Sequence, residues 1–202
     1  MARLKGGWNQ RGRGRSLGEI GSAISFNIWQ IAGQAVLDLE NEGFQTDTQS
    51  QRLDVLTEFA AFLLQIVDRI VYDQFDLEQR NELISAAGIH MAGILQDNRL
   101  ETDGEGEYRS QFLNILNDRI NDYSQCQYNR IDGPSFIFLR VLGDHVSKVM
   151  GEKDNKWITG YIIDIAGEKM HKSLKRVLPG LLDPARKGLA PESDMDYSKN
   201  YD

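Results

Sequence analysis

Residues Leu53–Phe75 read LDVLTEFAAFLLQIVDRIVYDQF, an almost continuous apolar run that carries Glu58, Gln65, Asp68 and Arg69 through its middle. On a helix net of about 100° per residue, Thr57, Glu58, Ala61, Gln65, Asp68, Arg69 and Tyr72 fall within a stripe of roughly 120°. Val55, Leu56, Phe59, Phe62, Leu63, Ile66, Val67 and Ile70 cover the remaining arc. A helix apolar over so wide an arc belongs at the centre of a bundle. Its polar stripe is either a narrow wet face or an internal row of ionisable groups.

Working outward, start and stop signals mark further helices. Ser16-Leu17-Gly18-Glu19 has the capping-box pattern, so a helix runs from there or from near Ser22 to Glu40, with Asn41-Glu42-Gly43 as its exit. Thr48-Gln49-Ser50-Gln51 opens the central helix. Asp76-Leu77-Glu78-Gln79 opens a third over 77–98, so close behind the second that the pair should lie antiparallel. A loop at Thr102–Gly106 precedes a fourth helix over 107–127. Asp132-Gly133-Pro134 is expected to start a fifth, with proline in its first turn, ending near Met150-Gly151. A last helix runs from Asn155 to Leu178 and should stop at Pro179-Gly180, with an irregular turn reaching Leu182. Strand alternation is not evident, and roughly two-thirds of the chain reads as helix, about twice the usual share. The expected fold is an all-α, single-domain bundle of five to six mostly antiparallel helices over 16–182. It is flanked by a basic flexible arm (1–15) and an acidic flexible tail (183–202).

Ala86, Ala87, Gly88, Ala92 and Gly93 make a small-residue patch on the third helix. Glycine inside a helix costs about 0.5–1 kcal/mol relative to alanine, so the patch predicts a close helix crossing, or else room for a ligand.

The net charge of −7 conceals an asymmetry. The arm holds Arg3, Lys5, Arg11, Arg13 and Arg15 and no acid, so the body is more acidic than the whole. An acidic body repels phosphates, which confines any nucleic-acid binding to the arm. Cys126 is the sole cysteine, excluding an intrachain disulfide and a cysteine zinc cluster. No apolar run directly follows the N-terminal charges and none is long enough to span a bilayer, so a cytoplasmic location without membrane insertion is expected.

The candidate chemistry lies in two places. Asp164, Glu168 and His171 fall at i, i+4 and i+7, on one face of an uninterrupted last helix. Glu168–His171 is one Glu-x-x-His pair, and a di-iron bundle needs two such pairs and two more glutamates. Neither His90 nor His145 has a glutamate three residues before it. A single transition metal held by Glu58, Asp164, Glu168 and His171 is the alternative to a cofactor-free protein. The second place is a buried polar network of Glu58, Gln65, Asp68, Arg69 and His90. Glu58 and Asp68 stand about 15 Å apart on one helix, too far to share a metal. If Asp68 and Arg69 face the interior, each needs a partner, because breaking a buried ion pair costs about 3–5 kcal/mol, and Arg80, Arg119 and Glu58 are the candidates.

Phosphate-loop, dinucleotide-fingerprint, nucleophile-elbow and His-Glu-x-x-His patterns do not occur. Cys126 is expected to be an unreactive thiol. Tyr108, Arg109, Arg119, Tyr123, Tyr128 and Arg130 suggest an aromatic and basic interface on the fourth helix. The functional expectation is a non-enzymatic bundle acting through a protein partner or self-association. The alternative is a metal- or small-ligand-binding bundle with an internal carboxylate–histidine site.

Overall fold

The computed structural model describes residues 15–151 and 155–183. It is an all-α bundle: α1 (Leu17–Asn41), α2 (Gln49–Val71), α3 (Leu77–Asp103), α4 (Tyr108–Tyr123), α5 (Phe136–Met150), α6 (Asn155–Tyr161) and α7 (Gly167–Leu182). A π-helical segment, Ile162–Ala166, joins α6 to α7 into one rod. Arg3, Lys5, Arg11 and Arg13, and the tail beyond Asp183, lie outside the described residues. So does the expectation that arm and tail are flexible.

Each start signal acts through hydrogen bonds. Ser16 Oγ accepts from the Glu19 N–H at 3.2 Å while the Glu19 carboxylate accepts from the Ser16 N–H at 3.1 Å. Thr48 and Asp76 accept likewise from Gln51 and Gln79. At α2 the return bond goes one residue further back, from the Asp47 N–H to the Gln51 amide oxygen.

α2 is the central element, with Phe59, Phe62, Leu63, Leu64, Ile66 and Val67 fully buried. Burying such a side chain stabilises by about 1.5–3 kcal/mol, which makes this helix the largest single contributor to the core. Phe62 meets Phe138 edge-on at 5.5 Å, and Phe138 stacks on Tyr123 at 4.6 Å, tying α2, α4 and α5 together. Two ion pairs set α3 antiparallel to α2. Arg80 holds Asp68 beside the turn, and Arg99 holds Asp54 at the far end, where it also reaches Ser50.

The small-residue patch of α3 is a packing surface. A Cβ on Gly21 of α1 would lie 2.9 Å from the Ala86 Cβ, the Ala87 nitrogen and the Leu83 oxygen, so only glycine admits this approach. Four residues on, Ser25 Oγ donates to the Ala87 carbonyl at 2.6 Å. On another side, Gly88 receives Leu116 of α4.

Four boundaries differ from the sequence reading. α3 runs on to Asp103, where Gly104, at φ +85°, ends it. α4 ends at Tyr123, and the chain then makes a two-residue antiparallel ladder, β1 (Tyr128–Asn129) with β2 (Gly133–Pro134). Gly133 and Pro134 therefore belong to a hairpin, and α5 starts behind them with Ser135 as its cap. Two paired residues are too few to show an alternation. α7 continues through Pro179 to Leu182. The proline gives up the hydrogen bond of its own N–H and crowds the carbonyl one turn back, yet the helix runs on, with the ring on the exposed side.

The π segment is the fifth difference. The Gly167 N–H reaches back five residues to the Ile162 carbonyl, which inserts one residue into the turn. A Cβ on Gly167 would meet Leu139 at 2.4 Å, so the swollen turn is pressed tightly against α5. The extra residue rotates everything after it by about 100° relative to an unbroken helix.

Candidate functional site

The polar stripe of α2 lies along the seam against α3 and α4, and only Tyr72 at its end is exposed. Thr57, Glu58, Ala61 and Gln65 are buried. Glu58, 4% exposed, accepts two hydrogen bonds from Arg119 of α4, from Nε and Nη2, both at 2.7 Å. This two-pronged geometry suits a planar guanidinium and compensates the desolvated carboxylate. The bond to Glu58 raises the pKa of Arg119 against the opposing effect of burial. Nearly three turns further along α2, Asp68 accepts from Arg80 at 2.6 and 3.2 Å, and the Arg80 guanidinium lies over the Tyr72 ring at 4.8 Å. Arg69 donates to the carbonyls of Tyr123 (3.1 Å) and Ser124 (3.4 Å), where α4 has run out of intrahelical donors. His90 is half-buried on α3.

The Glu58–Arg119 pair extends outward. Arg119 Nη1 reaches Asp122 at 3.2 Å, and Asp122 accepts from His145 Nε2 of α5 at 2.9 Å. Burial lowers the pKa of His145, and Arg119 lowers it further, against the opposite pull of Glu58 and Asp122. The contact is thus a neutral imidazole N–H donating to a carboxylate. Its sequence neighbour Asp144 points about 100° away on the same helix, and the fold brings Asp122 to His145 from another helix.

The proposed metal residues do not converge. Glu58 is committed to Arg119, and Glu168 is exposed beside Lys172 at 2.5 Å. Asp164 is exposed in the π segment, whereas His171 is buried. The inserted residue breaks the shared face that an uninterrupted helix would give. Among the described residues no three His, Cys, Asp or Glu side chains form a metal-binding cluster. The buried positions Ile158, Ile162, Ala166, Met170, Leu174 and Leu178 recur every fourth residue.

His171 instead supports the hairpin. Its Nε2 lies 3.1 Å from the Tyr128 hydroxyl, and the rings meet edge-on at 5.7 Å. Gly133, at φ +89°, lies directly against the imidazole; a Cβ there would sit 2.5 Å from Cε1. Burial, and then Lys175, lower the pKa of His171, while burial pushes that of the Tyr128 phenol up. Lys175 Nζ donates to the Arg130 carbonyl at 2.9 Å. The hairpin is thereby fastened to α7 at both ends.

Two clefts flank it. One, of about 270 Å³, is lined by Ile70, Gln74, Tyr128, Arg130 and the α7 residues Lys175, Leu178, Pro179 and Leu182. The other, about 930 Å³ and shallower, runs from Arg69, Tyr72 and Asp73 across the hairpin to Ser135. Cys126 lines it, but burial pushes its thiol pKa up, which keeps it protonated and a poor nucleophile. Of the aromatic and basic face expected around α4, Tyr123 is fully buried and Arg119 mostly so, while Arg109 and Arg130 are exposed. Asp122, Tyr128, His145 and Lys175 enter these arrangements through contacts between residues far apart in the chain, which spacing does not reveal.

No protein-family model matches the chain, and no significant similarity to a curated protein or a solved structure is found. Among the described residues, no helix is long and apolar enough to cross a membrane.

Proposed function

We propose that this chain is a non-enzymatic binding module that works by associating with a protein, in the simplest form a second copy of itself. The observation that carries this reading is the exposed apolar edge around the hairpin. Ile131 at its tip is 85% exposed, and Phe136 and Ile137 just behind it are 58% and 55% exposed. Tyr72, 59% exposed, faces the hairpin across the larger cleft, which Ile131 also lines. A patch of apolar and aromatic side chains with arginines at its margin (Arg69 and Arg130) has the composition of a protein interface. The interior charges support the same reading, because Glu58, Asp68 and Arg69 are engaged in joining helices.

Sedimentation equilibrium between 1 and 100 µM (concentrations spanning about two decades of Kd) tests the self-association form. The expected result is a mass that rises with concentration, and that stays monomeric in the double variant Ile131→Asp, Phe136→Asp with unchanged helical circular dichroism. A wild-type chain that remains a monomer throughout would overturn it.

A further inference from the structure

The smaller cleft behind the hairpin is built differently from the outer face. We infer that it is a small-molecule site for a medium-chain alkyl carboxylate, whose chain enters the cleft and whose head stays at the cationic rim. Ile70 at the end of α2, Leu178, Pro179 and Leu182 on α7, and the ring of Tyr128 supply the apolar walls. The Tyr128 hydroxyl is already used on His171, so the residue presents its ring. Arg130 and Lys175 bring two positive charges to the lining, and none of its described residues is acidic.

Both cations have donors to spare. Lys175 uses one of three ammonium hydrogens on the Arg130 carbonyl. Arg130 reaches Asp73 through Nη2 at 2.7 Å, in a pair where both side chains are more than half exposed. Such a surface pair is weak and leaves other guanidinium donors for a carboxylate. Gln74 donates its amide to the Ile70 carbonyl, so its own oxygen remains an acceptor beside the apolar wall.

Size narrows the ligand. A dry cavity of about 150 Å³ holds benzene, so 270 Å³ with one open side suits a body of roughly eight to ten heavy atoms. A bare phosphate would leave the apolar walls facing water, and a long acyl chain would overrun the space. The site does not depend on the hairpin's outer face, since its walls are the residues behind it.

Titration of the full-length chain with octanoate, followed by calorimetry and by amide NMR shifts, tests the assignment. Expected is a single site with Kd on the order of 0.01–1 mM, as a ten-atom ligand allows. The shifts should centre on Ile70, Tyr128 and Leu178. Octanol, with the same chain and no charge, should bind about tenfold more weakly. Lys175→Gln should bring octanoate close to octanol while leaving octanol unchanged, and Ile70→Phe should weaken both by filling the space. A melting temperature for each variant within a few degrees of wild type establishes that the fold persists. Equal affinity for octanoate and octanol, no effect of Lys175→Gln, or no octanoate binding at 5 mM (weaker than the limit above) would each overturn it.

Discussion

Replacing Arg119 by methionine keeps an unbranched side chain of similar length and removes the charge. It leaves the Glu58 carboxylate 4% exposed, without the two 2.7 Å bonds that compensate its burial. Breaking a buried pair from one side costs about 3–5 kcal/mol. The Arg119–Asp122 contact is lost as well, but Asp122 is 41% exposed and an exposed pair adds at most about 1 kcal/mol. For a chain of this size each kcal/mol moves the melting temperature by about 2–4 °C, so a fall of roughly 6–20 °C is expected. Glu58→Leu alone should cost less, because Arg119 keeps Asp122 and some access to water. The double variant Glu58→Leu, Arg119→Met removes both charges and fills the space with apolar atoms. It should return to within about 1 kcal/mol of wild type or exceed it. Urea unfolding at pH 7, read by circular dichroism at 222 nm, measures all four corners of the cycle. A coupling energy above about 2 kcal/mol is expected. A loss below about 1 kcal/mol for Arg119→Met would refute the reasoning, since it would mean that Glu58 is not a desolvated charge.

Tyr123→Phe removes a hydroxyl that is buried with no hydrogen-bond partner among the described residues, and keeps the stack on Phe138. It should raise stability by about 1 kcal/mol; a loss of that size would show a hidden partner. Gly133→Ala forces an L side chain to φ +89° and into the His171 imidazole, and should cost about 3 kcal/mol by urea unfolding. An unchanged midpoint would mean that the hairpin is not pressed on α7. The folded pKa values of His145 and His171 are both lowered, chiefly by burial, so the unfolded chain takes up protons first as pH falls. The stability present above about pH 6.5 is therefore lost as pH drops toward the lowered folded values. The groups facing His145 are Arg119, Glu58, Asp122 and Lys148; those facing His171 are Tyr128, Lys175, Glu168 and Lys172. The urea midpoint should fall between pH 7 and 5.5, and the double variant His145→Gln, His171→Gln should flatten that fall; an equal slope in both proteins counts against it.

The residues Leu53–Phe75, the caps at Ser16, Thr48 and Asp76, and the small patch at Ala86–Gly88 determined the helical plan by themselves. They act within one or two turns of chain, so local spacing carries the information. Local spacing also showed that Asp68 and Arg69 would need partners if they faced inward, because an apolar helix cannot bury charges alone. What it could not show is which groups come from other helices. Asp122 meets His145, and His171 meets Tyr128 and Gly133, only after α4, α5, the hairpin and α7 have packed. The shared face expected of Asp164, Glu168 and His171 is not formed, for a related reason. One inserted residue at Ile162–Ala166 shifts α7 by about 100° relative to the turn before it, and His171 is buried while Asp164 and Glu168 are exposed. A helix net assumes a constant turn, and in this rod the packing of Gly167 against Leu139 decides it. Position along the chain determined which residues are helical, and the contacts between helices decided which of them meet.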